Sequence, residues 1–147
     1  MLEMGRRVMV AGTFDIIHEG HIKMLWSAKS LAGDDGELVV VVARDENVRK
    51  YKKREPILEE SIRAYIVKNL KPVDRVVLGE RDPIESVLKL RPDVIALGYD
   101  QWADENWLRE ELLKRGLNVE IVRLPRFGDS SSSSIVRRVI KLFCSSE

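Results

Sequence analysis

Gly12-Thr13-Phe14-Asp15-Ile16-Ile17-His18-Glu19-Gly20-His21 decides how this chain is read. A short apolar run, Arg7–Ala11, leads into it, and an amphipathic stretch, Gly20–Leu31, leaves it. The segment therefore joins a strand to the start of a helix. A helix N-terminus presents unpaired N–H groups and partial positive charge, so it attracts phosphate. His18 and His21, spaced i, i+3, point the same way at that end. Gly20 and Gly12 carry no side chain, which lets a phosphate approach the backbone. A pair of histidines at this spacing can also be half of a zinc site. Cys144 is the only cysteine and His18 and His21 the only histidines, so acidic residues alone would have to complete one. Neither GxGxxG nor GxxxxGK[ST] occurs, which excludes the dinucleotide fingerprint and the P-loop.

Outward from this junction the pattern repeats. Strand candidates are Arg7–Ala11, Leu38–Ala43, Arg75–Leu78, Val94–Leu97 and Val119–Val122, nearly all apolar, as strands covered on both faces are. Between them lie helix candidates at Gly20–Leu31, Asp45–Tyr51, Glu59–Leu70, Pro83–Leu90, Asp104–Arg115 and Ser134–Phe143. In the third, Ile62, Ile66, Val67 and Leu70 form the expected core-facing stripe. This alternation predicts an α/β, Rossmann-like, doubly wound parallel sheet of about five strands with helices on both faces. Ligands of such sheets bind beyond the carboxyl ends of the strands. The loops to inspect are Gly12–His21, Arg44–Lys53, Gly79–Asp82, Gly98–Trp102 and Leu124–Ser134.

The length of 147 residues fits a single domain, 1–147. With 25 Lys+Arg against 24 Asp+Glu, the chain offers no bulk attraction for nucleic acid, so phosphate affinity has to be local. The lone cysteine, the absence of a long apolar segment near the N-terminus and the short longest apolar run, Leu38–Ala43, predict a cytoplasmic protein without a membrane span. The serine run Ser130–Ser134 taken alone reads as a flexible spacer.

Gly12–Asp15 followed by His18-Glu19-Gly20-His21 resembles the GTFDxxHxGH signature of the cytidylyltransferase-like nucleotidyltransferases. The resemblance extends along the chain. Lys53-Arg54-Glu55-Pro56-Ile57 is similar to the basic K-x-x-P loop of that family, and Arg63 to the arginine of its E-R-x-x-x-I helix. Gly98-Tyr99-Asp100-Gln101 is similar to the G-x-D motif, and Ser131-Ser132-Ser133 to the I-S-T-[ST] phosphate loop before the last helix. Within the family, Ala43-Arg44-Asp45-Glu46, Leu70-Lys71-Pro72-Val73-Asp74 and Gly98-Tyr99-Asp100-Gln101 are most similar to the archaeal FAD synthases, then to glycerol-3-phosphate cytidylyltransferases. Cytidylyltransferases usually place tryptophan directly after G-x-D. Here Gln101 intervenes and Trp102 comes one place late, and Ser130 replaces the isoleucine of the serine loop.

The resemblance implies attack by an acceptor phosphate on the α-phosphorus of ATP, with FMN as acceptor and pyrophosphate as leaving group. A phosphomonoester has a second pKa of about 6, so it arrives ionised and needs no general base. His18 and His21 would donate to the α-phosphate, and Thr13 and Phe14 would offer backbone N–H groups. Lys53, with Lys52 as its alternate, would reach over the phosphates, and Arg63 would fork onto phosphate oxygens. Ser131, Ser132 and Ser133 would serve the β- and γ-phosphates. Gly98 and Asp100 would meet the nucleoside, with the Gly98 strand end offering backbone groups to the purine edge. A divalent cation, Mg²⁺, would bridge the triphosphate; the sequence names no dedicated metal ligand, Asp15 being a weak candidate. Tyr99, Trp102 and Trp107 gather at one sheet end, where aromatics are ordinarily core but a flavin would need a flat wall. The fold often forms dimers, so a homodimer is compatible. The competing readings are a nucleotidylyltransferase acting on glycerol 3-phosphate, as a cytidylyltransferase, or on another small phosphate, and a module that senses nucleotides without catalysis. A tRNA synthetase is excluded by length.

Overall fold

A computed structural model describes residues 5–101 and 103–144. Five strands, β1 (Arg7–Gly12), β2 (Glu37–Val42), β3 (Arg75–Leu78), β4 (Val94–Leu97) and β5 (Glu120–Arg123), form one parallel sheet in the order β3-β2-β1-β4-β5. Six helices connect and follow them: α1 (Glu19–Ala32), α2 (Asp45–Lys52), α3 (Glu60–Lys68), α4 (Pro83–Leu90), α5 (Glu105–Lys114) and α6 (Ser132–Phe143). β-branched valines favour the pleated sheet, and alternate residues of β1, β2 and β4 feed two separate cores. One core gathers Val8, Val10, Val40 and Ala96 with Leu25, Ala28 and Val67 of α1 and α3. The other gathers Met9, Val39, Val41 and Ile95 with Val87, Leu90 and Leu112 of α4 and α5. Both faces are thus covered, the condition that makes all-apolar strands stable.

From β1 the chain winds outward through β2 to β3, then returns to β4 on the other side of β1. The direction of winding reverses between β1 and β4. Adjacent crossovers there lie on opposite faces and leave a crevice at the carboxyl ends. Gly12 and Gly98, which follow or end those two strands, flank it.

The predicted stripe on α3 is rotated. Ile62 is exposed, whereas Arg63 and Val67 are buried and Leu70 is partly so. Periodicity was read on apolar residues alone, and a buried arginine is invisible to that rule. The last helix begins at Ser132, two places before the predicted start, because Ser131 caps it: the Ser131 hydroxyl accepts from the Ser134 amide at 3.0 Å, and the Ser131 amide donates to Ser134 Oγ at 2.9 Å. The serine run is therefore a capped helix start.

Candidate active site

The crevice widens into a cavity of about 490 Å³. Gly12, Thr13, Phe14, His18, His21, Gly98, Asp100, Ser131, Ser132 and Ser133 all line it. Residues expected at one nucleotide site, and far apart in sequence, thus meet. Lys53 and Arg63 are the exceptions.

The histidine pair is built by the helix start. His18 is the N-cap of α1, and its Nδ1 accepts from the Gly20 amide at 3.1 Å. His21, at N3, reaches back so that its Nδ1 accepts from the His18 amide at 3.2 Å. This is a capping box made from imidazoles in place of Ser and Glu. The rings lie 4.0 Å apart. Burial lowers the pKa of His18, with Glu19 opposing. Burial, then the neighbouring His18, lowers that of His21 to about 4, against the pull of Asp100. Each Nδ1 accepts a hydrogen bond, so in the neutral ring the proton sits on Nε2. The pair consequently offers two Nε2–H donors.

Both glycines of the motif serve protein contacts. A Cβ on Gly20 would stand 2.7 Å from the Phe127 carbonyl oxygen and 2.9 Å from His18 Cε1. A Cβ on Gly12 would meet the Phe14 ring at 2.8 Å. Phe14 adopts φ +54°, a rare and costly region for a residue with a large side chain. Its ring is buried and lies 5.5 Å from that of His21.

The end of α2 and the basic loop after it place Lys52 and Arg54 on the cavity, and Lys53 off it. Lys53 is the left-handed C-cap of α2, with φ +60°, and its amide closes the helix onto the Arg49 carbonyl. That turn carries the chain past the cavity and aims its side chain elsewhere. Arg63 does not face the cavity either. Its guanidinium is fully buried and donates to Leu58 O, Thr13 O and Asp45 Oδ1 at 2.8, 2.8 and 2.6 Å. The expected fork onto phosphate is replaced by a fork onto protein. Asp15 lies at the edge of the cavity, and its two oxygens accept the amides of Ile57 and Leu58 at 2.7 and 2.8 Å. Among the described residues no group of three or more His, Cys, Asp or Glu could hold a metal.

Gly98 is already satisfied. Its amide donates to Gln101 Oε1 at 2.7 Å, and its carbonyl accepts from Arg123 at 2.9 Å and from the Gln101 amide at 3.2 Å. Gly98 therefore lines the cavity with its own amide and carbonyl bonded within the protein. Tyr99 and Trp107 are about half exposed, so neither is core, and only Tyr99 lines the cavity. The expectation for Trp102 lies outside the described residues. Arg126, which the sequence reading missed, stacks over the Tyr99 ring at 5.6 Å. It also lines the cavity, and its position just before the serine loop was the available signal. Ser131 and Ser132 spend their hydroxyls on the protein, Ser132 Oγ donating to Ile16 O at 3.1 Å.

The sequence profile described as cytidylyltransferase-like matches residues 9–139. The chain belongs to the cytidylyltransferase-like family. It is similar to a protein named FAD synthase from Ferroglobus placidus, 50% identical over 93% of this chain and 90% of that one. A second, from Aciduliprofundum boonei, is 49% identical over 92% and 89%. Among solved structures, one titled lipopolysaccharide core biosynthesis protein from Thermoplasma volcanium superimposes with TM-score 0.80 at 43% identity, covering 84% of this chain and 99% of that one. The cytidylyltransferase-like assignment agrees with the five-stranded parallel sheet and with the histidine motif at its switch point.

Proposed function

We propose that the chain is an FMN adenylyltransferase: it transfers AMP from ATP to FMN, giving FAD and pyrophosphate. The observation that carries this reading is near-50% identity, over about nine-tenths of both chains, to proteins named FAD synthase. The site's chemistry supports it. An FMN phosphate oxygen attacks the α-phosphorus as the bond to the β-phosphate oxygen breaks. The nucleophile is already anionic, and the cavity presents donors where a base would otherwise be required. His18 and His21 offer Nε2–H to the α-phosphate as charge builds there. Thr13 and Phe14 supply backbone groups beside them. Lys52 and Arg54 draw in the triphosphate, and the start of α6 receives its far end. Asp100 meets the nucleoside. A divalent cation, Mg²⁺, enters with the triphosphate; among the described residues Asp100 is the cavity carboxylate with no hydrogen-bond partner, which fits a cation held mostly by the nucleotide's own oxygens.

The reading includes a cytoplasmic location, supported by the absence, among the described residues, of a helix long and apolar enough to cross a membrane. It also includes a homodimer, supported by α6, which exposes Val139, Ile140, Leu142 and Phe143; light scattering tests this. The decisive assay supplies purified protein with ATP, Mg²⁺ and FMN and follows FAD by chromatography. FAD is expected, and riboflavin should not substitute, since it lacks the attacking phosphate. CDP-glycerol from CTP and glycerol 3-phosphate, with no FAD, would overturn the assignment.

A further inference from the structure

We propose that Arg63 and Asp15 are positioning residues that stitch the histidine turn to the basic loop and set the histidine pair without touching substrate. Two independent clamps grip the same two segments. Leu58 is held through its amide by Asp15 at 2.8 Å and through its carbonyl by Arg63 at 2.8 Å. The turn is held at Thr13, whose carbonyl accepts from Arg63, and at Asp15 itself. These are the residues on either side of Phe14.

Phe14 is where the clamps act. Its φ of +54° is unfavourable and persists only when the surroundings impose it. With both neighbours pinned, the backbone stays there and the ring is held against His21, 5.5 Å away. His21 in turn accepts the His18 amide. A contact chain thus runs from Arg63 through Thr13 and Phe14 to the donors. Arg63 suits this role because its planar fork reaches three acceptors in fixed directions, which a lysine cannot. Asp15 also anchors the far end of the basic loop. Arg54 Nη1 lies 3.5 Å from its carboxylate, and the Arg49–Glu55 pair braces the near end at 2.8 Å. Lys52 and Arg54 therefore sit on a strap fastened at both ends.

The test compares Arg63→Lys, Asp15→Asn and Asp45→Asn by steady-state kinetics, thermal unfolding and NMR of the His21 ring. Its kinetic arm rests on the proposed FMN adenylyltransferase activity. Arg63→Lys should lower kcat roughly 10- to 100-fold, with the KM for ATP changing less than about threefold, as for a misplaced but untouched donor. Its His21 signals should move. Asp45→Asn removes the ion pair and keeps both carbonyl bonds, so it should lose stability while kcat stays within about threefold. Asp15→Asn should raise the KM for ATP roughly tenfold through the loop and shift His21. If kcat falls as far in Asp45→Asn as in Arg63→Lys, Arg63 is merely structural. A raised KM at unchanged kcat in Arg63→Lys would mean direct phosphate contact. If Arg63→Lys does not fold, Asp15→Asn decides, and unaltered His21 signals with unaltered kinetics there overturn the proposal. If the wild type makes no FAD, the functional reading falls, while the NMR arm on the free protein still decides the positioning.

Discussion

The backbone amide of His18 donates to Nδ1 of His21 at 3.2 Å, so a ring that faces the cavity also caps the helix that carries it. His18 does the same for Gly20 at 3.1 Å. Both Nδ1 atoms are acceptors, which leaves Nε2 as the protonated nitrogen. Nitrogen-15 NMR of the free protein at neutral pH should show the Nε2–H tautomer for both rings. His18→Ala and His21→Ala should each lower kcat roughly 10²–10³-fold, with a smaller effect on ATP affinity. An Nδ1–H tautomer at either ring would break the capping argument, and a variant keeping most of its kcat would remove that histidine from the reaction.

The same burial gives the fold a pH dependence. His21 has a pKa near 4 in the folded chain against 6.5 in the unfolded one. Between those values the unfolded chain binds the extra proton, so stability is full above about pH 6.5 and declines as the pH falls toward 4. Discounted for solvent screening at a partly buried ring, the loss is roughly 1–3 kcal/mol. Urea unfolding at pH 7.5 and pH 5 should show a little over half of this loss in the wild type and a smaller one in His21→Gln. An equal decline in both would place the effect elsewhere.

The strands were legible because β-branched runs in a two-sided parallel sheet leave little ambiguity: Arg75–Leu78 and Val94–Leu97 match residue for residue. The histidine turn was legible because its chemistry and its helix cap use the same residues. The burial of Arg63 was not legible because nothing in a sequence separates an arginine aimed at phosphate from one aimed at carbonyls 5 and 50 residues away. The position of Lys53 off the cavity was not legible for a subtler reason. Three adjacent cations offer the same charge, and only the left-handed turn at Lys53 decides which of them face the cavity. The bonding of Gly98 was not legible because Gln101, two residues beyond Tyr99, folds back onto it.

That turn separates the basic residues experimentally. Lys52→Ala and Arg54→Ala should each raise the KM for ATP several-fold, and the effect should shrink in high salt, as expected of screened charge attraction. Lys53→Ala should leave KM nearly unchanged. The reverse order, with Lys53 dominant, would mean that the loop rearranges when the triphosphate binds.

The serines divide in the same manner, and single replacements distinguish a cap from a phosphate contact. Ser131 Oγ accepts from the Ser134 amide at 3.0 Å, so Ser131→Ala should cost about 1 kcal/mol of stability through loss of the N-cap. Ser132 Oγ donates to the Ile16 carbonyl at 3.1 Å, tying α6 to the histidine turn; Ser132→Ala should loosen that tie. Ser133 is exposed, lines the cavity, and its hydroxyl bonds to nothing among the described residues. It sits at the second position of α6, where the helix's own amides also point outward unpaired. Ser133→Ala should therefore raise the KM for ATP while thermal unfolding stays at the wild-type temperature. Ser131→Ala should show the opposite balance. A Ser133→Ala enzyme with unchanged affinity would leave the backbone amides of α6 as the only groups there to meet the phosphates.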